Sequence, residues 1–242
     1  MKFKIFVILL FAPLVSFAQI GEHRNTLSVG VNGGYSMSRV GFSPKVTQSM
    51  HGGMVGGLSV RYMSEKYFKT YCSIYGEVNL VQSGWKEKIV DIEENKVINP
   101  TTGLPEEYSR TVTYIEVPVF AQLAWGKEER GCKFFAQAGP KVGFILSEKT
   151  TSNFDVANMN IDDRANKEVT QYGMVVENKF DYGIAAGLGM EYSVPRVGHF
   201  IVEGRYNFGL GNLFGDSKRD YFSKSNNTGF NVKIIYMMDL KK

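Results

Sequence analysis

Cysteine is scarce: Cys72 and Cys132 are the only two in 242 residues, too few for a disulfide scaffold or a multi-cysteine zinc module. Histidine is scarcer still for its usual roles, because His23, His51 and His199 are dispersed and carry none of the spacing of a metal centre. Seven prolines and no low-complexity tract exclude collagen-like and mucin-like chains. No stretch after the N-terminus approaches about 18 uninterrupted apolar residues, so a bundle of membrane-spanning helices is excluded. Charge of one sign is also lacking. Lys and Arg total 28 against 24 Asp and Glu, which is no nucleic-acid signature. Nucleophile-elbow, H-E-x-x-H, P-loop and dinucleotide fingerprints do not occur. Asn158, Asn160 and Asp162 alternate like calcium-loop ligands, but Asp163 stands where the tight turn needs Gly and Val169 falls at the twelfth position, so a solvated loop is expected there. No cofactor is implied.

What is present points elsewhere. Hydrophobic residues make up 43% and the 26 glycines are about 11% of the chain, above the usual roughly 7%. Residues 1–18 begin with Lys2 and Lys4, continue through an apolar run from Ile5 to Val15, and end Ser16-Phe17-Ala18, the pattern of a cleaved signal peptide. The run is too short to span a bilayer as a helix, which takes roughly 20 residues. Export with cleavage after Ala18 is expected, leaving residues 19–242 as one domain. Residue 19 is Gln, so lipoprotein acylation is not indicated.

From Thr26 onward the hydrophobic period is two. In the last segment Phe230, Val232, Ile234, Tyr236, Met238 and Leu240 alternate with residues that include Asn231, Lys233 and Asp239, which is a strand with one apolar face. Such runs recur near 26–37, 51–64, 70–85, 109–125, 133–148, 178–194, 198–211 and 228–240. Most exceed the usual globular strand of about 5 or 6 residues and match the roughly 9 to 11 tilted residues that cross a bilayer. Their connections alternate between short (65–69, 126–132, 195–197) and long and polar (38–50, 86–108, 149–177, 212–227). The fold class expected is therefore all-β: an eight-stranded antiparallel transmembrane β-barrel with short periplasmic turns and long extracellular loops. Both termini then lie with the short turns. The apolar face meets lipid, and glycines on the other face, such as Gly30, Gly34, Gly139, Gly143, Gly187 and Gly189, suit a narrow interior. Tyr35, Tyr62, Tyr71, Trp85, Trp125, Tyr192 and Phe208 lie near strand ends, where aromatic girdles sit.

Two elements in order, Tyr114-Ile115-Glu116-Val117-Pro118 and Gly139-Pro140-Lys141-Val142-Gly143, followed by Asp181-Tyr182-Gly183-Ile184 and by 203–213, resemble the PorT-type outer-membrane β-barrel family of Bacteroidetes over about residues 24–240. The resemblance implies an eight-stranded outer-membrane barrel with no catalytic residues to carry over, and permits a role in type IX protein secretion. One departure is the ending Met238-Asp239-Leu240-Lys241-Lys242, which lacks the terminal aromatic that barrel assembly machinery commonly reads. Either Tyr236 serves or insertion is less efficient.

Strand parity places Arg61, Glu77, Glu116, Lys141, Glu191, Glu203, Arg205 and Lys233 on the face opposite the apolar one. Four are positive and four negative, so an ion-pair network is expected inside the barrel, hydrogen-bonded to Tyr75, Tyr114, Gln137 and Asn207 and leaving no continuous channel. The function expected is non-enzymatic: a structural, adhesive or secretion and assembly role in the cell outer membrane, exerted through surface loops. Outer-membrane lipid, the barrel assembly machinery and secretion-system proteins are the partners implied. A lipid-modifying enzyme built on His51 with Ser36 or Ser38 is the alternative, and it lacks an evident orienting carboxylate. A lipocalin-like periplasmic binder is a third reading, and it would need an apolar lumen. Cys72 and Cys132 are expected to be unpaired, because an intervening strand puts their axes roughly 10 Å apart, beyond the roughly 7 Å limit for bridged Cα atoms.

Overall fold

A computed structural model of the chain describes residues 21–127, 130–156, 159, 161–215 and 220–241. The proposed signal peptide and the Asn158 and Asn160 pair lie outside them. The strands are β1 (Glu22–Ser43), β2 (Gln48–Ser49), β3 (His51–Tyr67), β4 (Thr70–Glu87), β5 (Tyr108–Gly126), β6 (Gly131–Ser152), β7 (Phe180–Val194), β8 (Gly198–Asn212) and β9 (Lys224–Lys241). All but the two-residue β2 are long, and each pairs antiparallel with its neighbours. Chain-order pairing from β3 to β9 is completed by β1, which pairs with both β3 and β9. The sheet is therefore a closed ring of eight strands, which leaves no edge to satisfy within a membrane. Glu22 faces Lys66 and Leu27 faces Lys241, so the start of β1 and the end of β9 lie with the short turns.

Period two decides which residues face out. On β4 the outward side chains Ile74, Val78 and Leu80 are followed by Gln82 and Lys86. On β9, Leu240, Met238, Ile234, Val232 and Phe230 give way to Thr228 and Lys224. Applied around the ring, this change from apolar to polar marks a lipid-facing belt that ends near Met37, Met54, Leu80, Ile115, Leu146, Phe180, Leu210 and Phe230. Above that edge the hydrogen-bond ladder continues into water, which is why β1 runs to Ser43 and β6 to Ser152, several residues past the ends expected from hydrophobic alternation.

Two of the residues assigned to the girdle are not in it. Tyr71 and Trp85 are 3% and 0% exposed; both share the parity of Glu77 and point into the barrel. Tyr62, Trp125 and Tyr192 do project outward at the short-turn end. Both cysteines are free, Cys132 exposed and Cys72 partly so.

The long loops also depart from a solvated reading. Within the segment joining β6 to β7, Arg164, Gln171 and Val176 are buried, and a single 3-10 turn, Thr170–Tyr172, brings them back over the mouth of the barrel. The loop between β4 and β5 is ordered by isolated bridges pairing Val90 with Lys96 and Ile98 with Pro105. The long-loop end of the barrel is thus capped by its own loops.

Candidate functional site: the lumen and its cap

All eight charged residues picked out by parity lie inside the ring with at most 6% exposure. They fall into three groups along the axis. Nearest the short turns, Glu191 accepts from Arg61 and lies 3.0 Å from Lys133 Nζ. At mid-height Arg205 Nη1 is 2.7 Å from Glu77 Oε2, Arg205 Nε is 2.6 Å from Glu203 Oε1, and Lys233 Nζ is 2.5 Å from Glu77 Oε1. Towards the long-loop end Lys141 Nζ is 2.8 Å from Glu116 and 3.8 Å from Asp181. Lys133 and Asp181 are additions to the eight, one of each sign, so the balance of buried charge is kept.

The neutral partners behave less uniformly. Tyr75 donates to Glu77 at 2.6 Å, whereas Gln137 is bonded to Gln122 at 3.0 Å and Asn207 Oδ1 is buried without a hydrogen-bond partner. Apolar residues fill the space between the ion pairs: Tyr71, Tyr75, Phe120, Phe135, Ile201 and Met237 form one buried cluster, and the Arg205 guanidinium lies 4.4 Å from the Phe120 ring centroid. Charge and hydrocarbon together occupy an interior that in eight-stranded barrels is just wide enough for side chains.

Over this lies a second apolar cluster, above the lipid belt. Trp85 packs edge-on against Phe42 and Phe214, with centroids 5.3 Å and 5.9 Å away, and Phe222, Tyr108 and Val112 belong to the same cluster. The Arg110 guanidinium lies 5.6 Å from the Trp85 ring and binds the Met174 carbonyl at 2.6 Å and Glu148 at 2.9 Å. Arg164 clamps the returning loop to Glu106 at 2.6 Å. Gln171 and Tyr172 both donate to Glu87, at 2.7 Å and 2.5 Å.

Glu87 stands seven residues past the belt residue Leu80, outside the membrane. Burial pushes its carboxyl up from 4.5 to about 7, against the opposing hydrogen bonds from Tyr172 and Gln171 and the charge of Arg164. The closed cap therefore binds a proton that an opened cap releases. Cap stability from this group is fully present below about pH 4.5 and is lost as pH rises through about 7, by about 3 kcal/mol in all. Amide exchange of residues 161–176, corrected for intrinsic rate, is expected to show less protection at about pH 8 than at about pH 5. Glu87→Gln is expected to remove that dependence, and an unchanged dependence would contradict the assignment to Glu87.

The serine and histidine side chains are placed as follows. His51 directs Nε2 at the Thr111 hydroxyl, 3.0 Å away, while Ser38 Oγ lies 3.1 Å from the Gly84 carbonyl and accepts from the Gly84 amide at 2.9 Å. The His51 and Ser38 side chains are thus committed to other partners. A different cluster, not anticipated from sequence, sits at the short-turn end. Ser193 Oγ is 2.8 Å from His199 Nδ1, and His199 Nε2 is 3.1 Å from Asp239. Ser193 is only 1% exposed and also bonds Glu191 at 3.1 Å, so the arrangement continues the lumen network instead of presenting a nucleophile to solvent.

Among solved structures, Ail of Yersinia pestis is 13% identical, with a TM-score of 0.36 over 87% of this chain and 98% of that one. OprG of Pseudomonas aeruginosa is 12% identical, with a TM-score of 0.36 over 90% and 95%. Neisserial surface protein A is 8% identical, with a TM-score of 0.39 over 87% and 96%. No curated protein sequence matches the chain. The family described as outer membrane protein beta-barrel domain matches residues 17–215, which includes β1 to β8 and so most of the ring. The protein belongs to the outer membrane protein beta-barrel domain family and resides in the outer membrane.

Proposed function

We propose that this protein is a plugged barrel that works through its extracellular face, as a structural, adhesive or secretion-assembly component, and that it conducts nothing through its lumen. The observation that carries this reading is the filled interior: ion pairs among residues at most 6% exposed under an apolar cap whose Trp85 has no exposed surface. With the lumen occupied, what remains for recognition is the loop surface. The β4–β5 loop presents Ile92 at 88% exposure on a tip held by Asp91, whose Oδ1 accepts from the Glu93 and Asn95 amides at 2.8 Å and 2.9 Å. Such a pre-ordered, partly apolar tip suits a protein partner.

A PorT-type assignment in particular, and with it participation in type IX secretion, is supported by the Tyr114–Pro118 and Gly139–Gly143 elements. On the proposed reading, a null strain complemented with the chain whose residues 92–96 are replaced by Gly and Ser is expected to keep the null phenotype in surface adhesion and secreted-protein profile. The replaced chain should still show the heat-shifted gel mobility of a folded barrel. Full complementation by it would contradict the proposal.

A further inference from the structure

Outside the barrel, where β8, β9 and β1 leave the lipid belt, the wall is indented. A cleft of about 300 Å³ is lined by Arg39, Lys45, Lys224, Tyr206, Phe208 and Asn226, among others. We infer that this cleft binds the phosphorylated headgroup of a glycolipid of the outer leaflet.

Its position comes first. Phe208 and Arg39 both face Thr228, on either side of β9, and Thr228 is the first polar outward residue above Phe230. Lys224 faces Ser43, two outward positions beyond Arg39. Tyr206 and Phe208 thus stand in the top of the belt while the cations stand just over it, at the depth where acyl chains end and headgroups begin.

Its chemistry comes second. Among the described residues no ion pair engages Arg39, Lys45 or Lys224, and no carboxylate lines the cleft. Three cations without local counter-charge, facing the headgroup layer, match a phosphorylated lipid. The floor is built to stay open. A side chain at Gly41 would point into the cleft and put its Cβ 2.7 Å from Asn226 Oδ1 and 3.6 Å from Lys224. Asn226 itself is 5% exposed, donates its amide to the Gly209 carbonyl at 2.7 Å, and leaves Oδ1 without a partner. That acceptor suits a sugar hydroxyl or an amide N–H of the same headgroup. The β8–β9 register also shifts between Phe208 and Asn212, which opens the wall at this point.

The full chain in phosphatidylcholine nanodiscs doped with diphosphoryl lipid A tests the inference, with lipid retained on the protein read by native mass spectrometry. Enrichment of lipid A over phosphatidylcholine is expected. It should fall roughly a hundredfold in Arg39→Gln/Lys45→Gln/Lys224→Gln, from about fivefold for each cation near an anionic group. Lys149→Gln, an exposed cation elsewhere on the extracellular rim, should leave it unchanged. All three substituted side chains are at the surface, and heat-shifted gel mobility verifies that each variant is folded. Equal retention by the triple variant, or equal enrichment of lipid A stripped of phosphate, would overturn the assignment. Displacement by millimolar inorganic phosphate would overturn it too, in favour of a free-anion site.

Discussion

Arg205→Ala is expected to destabilise the barrel by about 3 kcal/mol or more, read as a fall in the urea midpoint of the chain in lipid. Arg205 is the hinge of the mid-height cluster: it bridges Glu77 and Glu203, and both side chains in each contact are 0% exposed. Glu77 keeps Lys233 at 2.5 Å when Arg205 is lost. Among the described residues Glu203 has no second cation within ion-pair distance, and its Oε2 is already without a partner. The cost therefore comes mainly from one buried carboxylate left uncompensated. It follows that Glu203→Gln in the Arg205→Ala background should restore part of the loss, and a double-mutant cycle measures how much. An unchanged midpoint for Arg205→Ala would mean that water reaches the cluster and that the lumen is not closed at this height.

Trp85→Ala is the second large effect, expected at about 3 to 5 kcal/mol from the cavity left by a fully buried Trp. Here the damage is local. Trp85 joins Phe42 and Phe214 and takes the Arg110 guanidinium on its ring, and Arg110 in turn holds the Met174 carbonyl. Losing the indole should free the returning loop, so protease should cut within 161–176 while the membrane-embedded ring keeps its heat-shifted mobility. Trp85→Phe should lose less than Trp85→Ala. Resistance of the loop equal to that of the unsubstituted chain would contradict the role given to the cap.

Much of the ring is legible in sequence because lipid and lumen impose opposite demands on alternate residues. The parity that exposes Val232 and Ile234 buries Lys233 and Ile235, so strands, faces and the inward charges follow from one rule. Tyr71 and Trp85 show what happens when that rule is set aside: position near a strand end suggests a girdle, while their parity, the same as that of Glu77, places them inside. Lys133 and Asp181 share the inward parity as well, but each lies near the start of its strand, where a charge can equally meet water. What buries them is register, which sets Lys133 directly opposite Glu191 and brings Asp181 within 3.8 Å of Lys141. The cap is the least legible part. Arg164 and Gln171 sit in a polar segment without periodicity, and only their contacts with Glu106 and Glu87, 58 and 84 residues away in sequence, turn it into a lid. Strand ends past the belt are hidden for a related reason: outward Arg39 breaks the hydrophobic alternation on β1, and the register shift between Thr113 and Tyr114 sets Glu148 opposite the buried Val112, while the backbone ladder continues.

On the proposed reading, ion pairs close the lumen below and an apolar cap closes it above. Planar-bilayer recording of the purified full-length protein reads that closure. No steady conductance is expected of the unsubstituted chain, because the buried Glu77–Arg205–Lys233 cluster and the Trp85 cap stand in the path of water and ions. A large, steady conductance would contradict it.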